Sequence, residues 1–203
     1  MKKHLLALLL LAGTSAQAQT IHLGLKFGVG FSRFVGANVP DNSLIGTFRK
    51  FGINAGGLAE IGFSDHWSVQ PELLYTVKGT KQIFSAPGSD QVLQQQLRYL
   101  DVPLLVKFKT HHVFVEAGPQ IGLLLSAVET YERGATSTDT DNKDLFRTAD
   151  PGYVLGLGVQ DTNGLLLGVR YNGGFPNVYA QGVRARNSDF QVYLGYVFGG
   201  NPK

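Results

Sequence analysis

The sequence predicts an all-β fold, an eight-stranded antiparallel up-and-down transmembrane β-barrel, and three observations carry that expectation. Apolar and polar residues alternate with period 2 in eight separate stretches. The connections between them alternate between short and long. Between the interfaces, charged residues within the stretches fall on one face only, which suits a sheet with lipid outside and polar groups inside.

The N-terminus sets the compartment. Lys2 and Lys3 precede an apolar run from Leu5 to Ala12 and the small-x-small triplet Ala16-Gln17-Ala18. This is the pattern of a cleaved secretory signal, assigned to residues 1–18, with the barrel domain occupying residues 19–203. A membrane-anchoring helix needs roughly 17–25 apolar residues, and this run is far shorter. Cysteine is absent, which excludes a lipoprotein anchor, a disulfide framework and a thiolate zinc site. Without Lys2 and Lys3, the 18 basic residues fall to 16 against 15 acidic ones, so the charge balance gives no sign of a nucleic-acid partner. No later stretch suits a transmembrane helix, and any spanning structure must therefore be β.

The strands follow in order. The first, about 22–34, sets Leu23, Leu25, Phe27, Val29 and Phe31 against Gly24, Lys26, Gly28 and Gly30. The second, about 52–63, opposes Ile53, Ala55, Ala59 and Ile61 to Asn54, Gly56 and Glu60. The third, about 67–78, opposes Trp67, Val69, Leu73, Tyr75 and Val77 to Gln70, Glu72, Thr76 and Lys78. The fourth, about 98–109, has Leu100, Val102, Leu104, Val106 and Phe108 on one face, and Tyr99, Asp101, Pro103, Leu105 and Lys107 on the other. The fifth, about 113–126, opposes Val113, Val115, Ala117, Ile121, Leu123 and Leu125 to Glu116, Gly118, Gln120 and Gly122. The sixth, about 150–160, sets Tyr153, Leu155, Leu157 and Val159 against Asp150, Gly152, Gly156 and Gly158. The seventh, about 165–175, has Leu165, Leu167, Val169 and Tyr171 opposite Gly168, Arg170 and Asn172. The eighth, about 189–198, opposes Phe190, Val192, Leu194, Tyr196 and Phe198 to Asp189, Gln191, Tyr193 and Gly195.

"SDH", "KTHH" and "DTNG" join strands two to three, four to five and six to seven, whereas the other connections run to about 12–22 residues, well above the usual hairpin loop of about 2–5. Tight periplasmic turns and long extracellular loops produce this alternation in an outer-membrane barrel; a secreted β-sandwich has no reason to show it. Pro71, Pro103 and Pro119 fall inside strands, where a closed barrel has no edge to absorb a missing N–H. A bulge or an unpaired acceptor is expected at each, the alternative being that the strands end there.

The mixed faces carry Lys26, Glu60, Glu72, Lys78, Asp101, Lys107, Glu116, Arg170 and Asp189, a lumen charge network that should pair within itself. With eight strands, such side chains plug the barrel. On the lipid-facing register, the charges are Arg33, Arg98 and Arg147, all at loop ends, where lipopolysaccharide phosphates suit guanidinium forks. Simple snorkelling at the interface is the alternative.

"QPELLYTVKGTK", "LRYLDVPLLVKF", "EAGPQIGLLLS", "LGVRYNGG" and "VYLGYVFGG", in this order, resemble the PorT-like outer-membrane β-barrel family of the Bacteroidota over nearly all of the mature chain. The resemblance implies an eight-stranded barrel in the outer membrane of a Gram-negative bacterium, some relatives being linked to a protein-secretion pathway. It carries over no catalytic residue.

No catalytic, cofactor or metal site is expected. His22, His66, His111 and His112 lie at strand starts or short turns, away from the long loops, and adjacent residues of an extended "HH" diverge. "GLGVQD" has Asp161 where a dinucleotide fingerprint needs its third glycine, and no helix follows. "DTDNKD", residues 139–144, has Asp144 where a calcium loop needs glycine and reads as solvated loop. Leu44, Ile45, Phe48, Ile83, Phe84 and Phe146 give the long loops apolar content that plain spacers do not need. The expected role is therefore that of a structural or interaction protein acting through these loops, with membrane lipid and an unknown protein as partners. Alternatives are an accessory role in secretion or outer-membrane assembly, a narrow channel or a barrel enzyme.

Overall fold

The structure, a computed structural model, describes residues 20–36, 45–84, 91–133, 136–180 and 184–199. The signal assigned to residues 1–18 and Leu44 lie outside the described residues. Among the described residues nine strands follow one another: β1 (Thr20–Val35), β2 (Ile45–Gly62), β3 (Trp67–Phe84), β4 (Gln91–Thr110), β5 (Val113–Arg133), β6 (Thr136–Asp141), β7 (Ala149–Gln160), β8 (Leu165–Gly174) and β9 (Arg186–Val197). All pairings are antiparallel. Eight strands form a ring in the order β4-β3-β2-β1-β9-β8-β7-β5, closed by β4 on β5. β6 stands outside the ring, paired only with the outer half of β5, whose inner half pairs β7.

Lipid-facing and lumen-facing side chains alternate along every ring strand. Leu23, Leu25, Phe27, Leu155, Leu157 and Leu194 are among the exposed apolar residues, whereas Leu58, Phe114, Leu166 and Val197 are buried inside. Aromatic contacts mark both margins of the apolar belt, with Trp67 against Phe108 and Tyr196 against Phe198 at the turn end, and Phe31 against Phe51 and Tyr153 against Phe175 at the loop end.

Two expectations about strand extent are corrected. Much of what alternation marks as long loop is strand: β2 starts at Ile45, β3 continues to Phe84, β4 starts at Gln91 and β5 runs to Arg133. Outside the bilayer both faces meet water, so the extensions contain Thr, Gln and Glu on either face and lose the apolar period. "DTDNKD" is likewise no solvated loop. Asp139 and Asp141 end β6, and a 3-10 turn, Lys143–Leu145, follows.

Of the two resolutions expected at the prolines, the structure shows the local loss of pairing and not the bulge. The strands run through all three, and the two bulges lie elsewhere, between Arg49 and Asn54 of β2 and beside Arg98 and Tyr99, where β5 has the extra residue Leu125. Instead, each proline falls in a two-residue gap that leaves the register unchanged. β2–β3 pairing skips from Leu58↔Glu72 to Ile61↔Val69 around Pro71, β3–β4 from Pro71↔Leu104 to Leu74↔Asp101 around Pro103, and β4–β5 from Pro103↔Gln120 to Val106↔Ala117 around Pro119. A missing donor thus costs local pairing, while flanking pairs hold the register. The bulges sit where β2 and β5 leave the apolar belt, at positions where added twist can bend the extensions away from the barrel axis.

The short turns are built locally. In "DTNG" the Asp161 carboxylate accepts from the backbone N–H of Asn163 at 3.0 Å and of Leu165 at 2.8 Å. Gly164 has φ +95°, and a Cβ there would lie 2.1 Å from the Val197 carbonyl oxygen, so no other residue fits. His111, with φ 49°, occupies the turn between β4 and β5.

The register predicts opposite environments for two adjacent leucines, Leu104 being 51% exposed on the lipid face and Leu105 0% exposed in the lumen. In membranes, a lipid-soluble maleimide should label Leu104→Cys rapidly and leave Leu105→Cys unmodified. Equal labelling would refute the facing of β4.

Candidate functional site

Buried side chains occupy the lumen along its length. Toward the turns, Leu58, Phe114, Leu166, Tyr193 and Val197 form an apolar cluster. Toward the loops, Phe34, Leu97, Tyr99, Leu124, Ala127, Phe146, Val178 and Ala185 form another. Ions occupy the space between them. The structure places all nine residues of the expected charge network inside, each at most 6% exposed.

Glu72 of β3 is the centre of that network. Its carboxylate accepts from Lys26 Nζ at 3.0 and 3.2 Å and takes a two-point fork from Arg170, NH1 at 2.8 Å and NH2 at 3.0 Å. Arg170 also reaches Glu116 Oε1 through Nε at 2.9 Å and NH2 at 2.6 Å, and the Tyr193 hydroxyl donates to the same oxygen at 2.8 Å. Lys26 sits 3.9 Å from the Tyr193 ring centroid, a cation–π contact. Gln70 links this cluster to the next, donating to Glu72 at 2.6 Å and accepting from Lys107 at 3.4 Å. Lys107 in turn pairs Glu60 at 3.0 Å and donates to Gln160 at 2.7 Å. Nearer the loops, Lys78 pairs Asp101 at 2.8 Å. Asp189, expected to pair with a cation, has no ion pair among the described residues and accepts instead from the amides of Gln191 at 2.6 Å and Asn172 at 3.5 Å.

Glycines make this packing possible. A Cβ at Gly156 would approach Glu116 Oε1 to 2.6 Å, and one at Gly158 would approach the Phe114 ring to 2.5 Å. Asp150, 4% exposed and hydrogen-bonded to Asn187 at 2.7 Å, is a further luminal acid outside the expected network. Its place on the alternating row with Gly152 and Gly156 was sufficient to find it.

The expected rim arginines do not converge. Arg33 is on β1 and Arg98 on β4, three strands apart in the ring, and Arg98 donates to Ser126 at 3.1 Å. Arg147 lies on no strand; it follows the 3-10 turn, its Nε donating to the Tyr179 carbonyl at 3.4 Å. The β6–β7 and β8–β9 connections pack over the mouth. Phe146 stacks on Tyr179 with centroids 4.9 Å apart, Phe34 meets the same ring edge-on, and the Tyr179 hydroxyl donates to Gln95 at 2.7 Å. Tyr179 lies beyond the end of the seventh alternating stretch, so no period in the sequence marks it. His22, His66, His111 and His112 all lie at the turn end. Among the described residues, no group of three or more His, Cys, Asp or Glu side chains is placed to hold a metal ion.

A closed ring with an apolar outer belt and an ion-filled interior defines a transmembrane β-barrel, and no helix among the described residues is long and apolar enough to cross a membrane. Residues 16–180 match the family described as outer membrane protein beta-barrel domain; the chain belongs to this family and resides in the outer membrane of a Gram-negative bacterium. Similar solved structures include the attachment invasion locus protein Ail of Yersinia pestis, in complex with the heparin analogue sucrose octasulfate, at 12% identity, covering 88% of this chain and 99% of that one with a TM-score of 0.46. Neisserial surface protein A is similar at 13% identity, covering 86% and 96%, with a TM-score of 0.47. OprG of Pseudomonas aeruginosa follows at 13%, covering 88% and 94%, with a TM-score of 0.38. No curated protein matches the sequence.

Two outcomes follow from the interior. Glu72→Ala leaves Lys26 and Arg170 facing each other without their shared anion, and chemical unfolding of the refolded barrel should show a loss of about 3–5 kcal/mol. Pairing Glu72→Met with Lys26→Met, which restores the charge balance, should recover most of it. At the mouth, burial first, and then the Glu129 carboxylate, pushes the Tyr179 hydroxyl from its ordinary 10.0 up to about 12. A raised value means that its contribution to holding the connection is complete below pH 10 and is lost as pH rises through about 12. Protease nicking of this connection should increase over that window, and Tyr179→Phe should abolish the alkaline step.

Proposed function

We propose that the protein is a structural and interaction component of the outer membrane that engages a protein partner through a sheet standing outside the bilayer. The carrying observation is the continuation of β2–β5 past the apolar belt and the addition of β6, all six of whose residues are exposed. The extensions are held by side-chain ladders. Lys50 donates to Gln94 and Gln94 to Glu132, both at 3.0 Å, while Gln95 and Asn142 both donate to Glu129, and Tyr131 to Gln91. Such a sheet is an ordered platform, not a spacer.

The sheet has an open end. β6 is last in the strand order and, among the described residues, has no neighbour on its far side. Natural edges are usually blunted by lysine, proline or a bulge. Thr136, Ser137, Thr138, Asp139, Thr140 and Asp141 include none of these, and threonine favours strand. An extended segment of a partner can add to such an edge through main-chain hydrogen bonds. The partner could belong to a secretion or assembly system, as the family resemblance suggests. The packed lumen weighs against a channel, and histidines confined to the turn end weigh against catalysis on the loop side. Membrane lipid surrounds the belt, and Arg98 and Arg147, which stand apart from each other and from Arg33 at its loop end, meet the interface singly, as snorkelling side chains do.

A photocrosslinking residue at Thr138 should yield discrete protein adducts in cells, whereas the same residue at Leu104 should yield only lipid adducts. Replacing residues 128–141 by an Asn-Gly hairpin should leave a folded, inserted barrel that has lost the cellular phenotype of the intact protein. A shortened barrel with full function would refute the reading.

A further inference from the structure

Above the belt, β1 and β9 carry arginines on one outward face. The register sets Arg33 opposite Ser188 and Val35 opposite Arg186, so Arg186 is the diagonal neighbour of Arg33. Such neighbours lie roughly 7–8 Å apart, within reach of long side chains. Arg184 shares this face two residues on: Arg184 and Arg186 are exposed, and Ala185 between them is fully buried. The Val178 N–H donates to the Ala185 carbonyl at 2.6 Å, which folds the β8–β9 connection back and brings Asn177 alongside. Val35, Gly36, Asn177, Arg184 and Arg186 line a recess of about 420 Å³.

Among the described residues the cluster has no ion-paired counter-charge. All five ion pairs among the described residues are luminal, and none includes Arg33, Arg184 or Arg186. The Nε of Arg33 is buried with no hydrogen-bond partner among the described residues. Nearby like charges repel, which makes three clustered guanidinium groups costly unless an anion is shared among them. Val35 lies four residues beyond the belt residue Phe31, roughly 13 Å along a tilted strand at about 3.3 Å per residue, which puts the recess outside the hydrocarbon, at the outer face of the headgroup layer.

We propose that this recess binds a phosphorylated sugar, with the forks of Arg184 and Arg186 on the phosphate, Arg33 supplying further positive charge and the Asn177 amide facing a hydroxyl. The volume lies within the roughly 300–1,000 Å³ of small-ligand sites, larger than a bare phosphate requires. Guanidinium forks match phosphate oxygens in pairs, which a lysine cannot do. The phosphosugar could be the headgroup of an outer-leaflet glycolipid or a soluble sugar phosphate. The site does not involve Arg98 or Arg147 and stands apart from the edge of β6.

The test uses the full barrel in detergent micelles, with lipid A, dephosphorylated lipid A, glucosamine 1-phosphate and glucosamine as probes, and folding checked by heat-modifiable gel mobility. Lipid A should bind, and Arg184→Gln with Arg186→Gln should weaken it at least tenfold. The double lysine variant should be intermediate, and Arg98→Gln with Arg147→Gln should be unchanged. If glucosamine 1-phosphate binds with the same sensitivity, the site takes soluble ligand; if only lipid A does, it takes the glycolipid; either result supports the site. Binding unaffected by Arg184→Gln with Arg186→Gln, equal binding of the dephosphorylated probes, or loss confined to the Arg98 and Arg147 variant would overturn it.

Discussion

Backbone groups in hydrocarbon have no water to turn to, and the rest of the molecule follows from that constraint. A sheet in the bilayer must close, which here means the pairing of β4 with β5. Eight strands leave an interior only about wide enough for side chains, so the lumen becomes a protein core instead of a pore. A core that carries charge must neutralise it internally. Arg170 and Lys26 share Glu72, Glu116 completes the arginine's coordination, and Gln70 passes the network on to Lys107 and Glu60. Removing such a network's centre costs far more than any exposed ion pair, because the groups left behind cannot regain water.

The same constraint explains how three prolines are tolerated. Each removes one donor inside a sheet that has no edge. The gaps around Pro71, Pro103 and Pro119 fall in three successive ladders, β2–β3, β3–β4 and β4–β5. No one ladder therefore bears more than one loss, and register on either side is fixed by long runs of pairs. A one-residue slip would turn an entire lipid face into the lumen, putting Lys107 or Glu72 into hydrocarbon. The bulges follow a different logic. At Arg49–Asn54 and at Leu125 they sit at the edge of the belt, where bending the strand no longer exposes backbone to lipid.

What was legible in the sequence was what lipid enforces. Between the aromatic margins every residue has one of two environments, so alternation alone places Leu104 outside and Lys107 inside, and the lengths of "DTNG" and "KTHH" orient the barrel. Outside the bilayer this enforcement ends. Gln94, Gln95 and Gln96 all read as loop, yet they belong to a strand whose cross-strand partners Thr130, Glu129 and Val128 are equally uninformative. The mouth cluster was illegible for another reason: Phe34, Phe146 and Tyr179 come from three distant segments, and only the folded connections bring them together. The cluster of Arg33, Arg184 and Arg186 combines both difficulties, since a β1–β9 register and a folded-back connection are needed to see three arginines as one patch.

The division between enforced and free regions also bears on where activity resides. The charged side chains at the centre of the lumen, Lys26, Glu72, Glu116 and Arg170, are already committed to partners whose loss is costly, and a change that made room for a substrate there would first have to dismantle the ion network. Residues 91–94, 128–133 and 136–141 carry no such obligation: their ladders are polar, partly hydrated and individually weak. Sequence can therefore vary there without unfolding the barrel, and a new partner can be accommodated by changing a strand edge or a rim arginine. The outer sheet and the β1–β9 rim are the surfaces on which binding can be built without rebuilding the core.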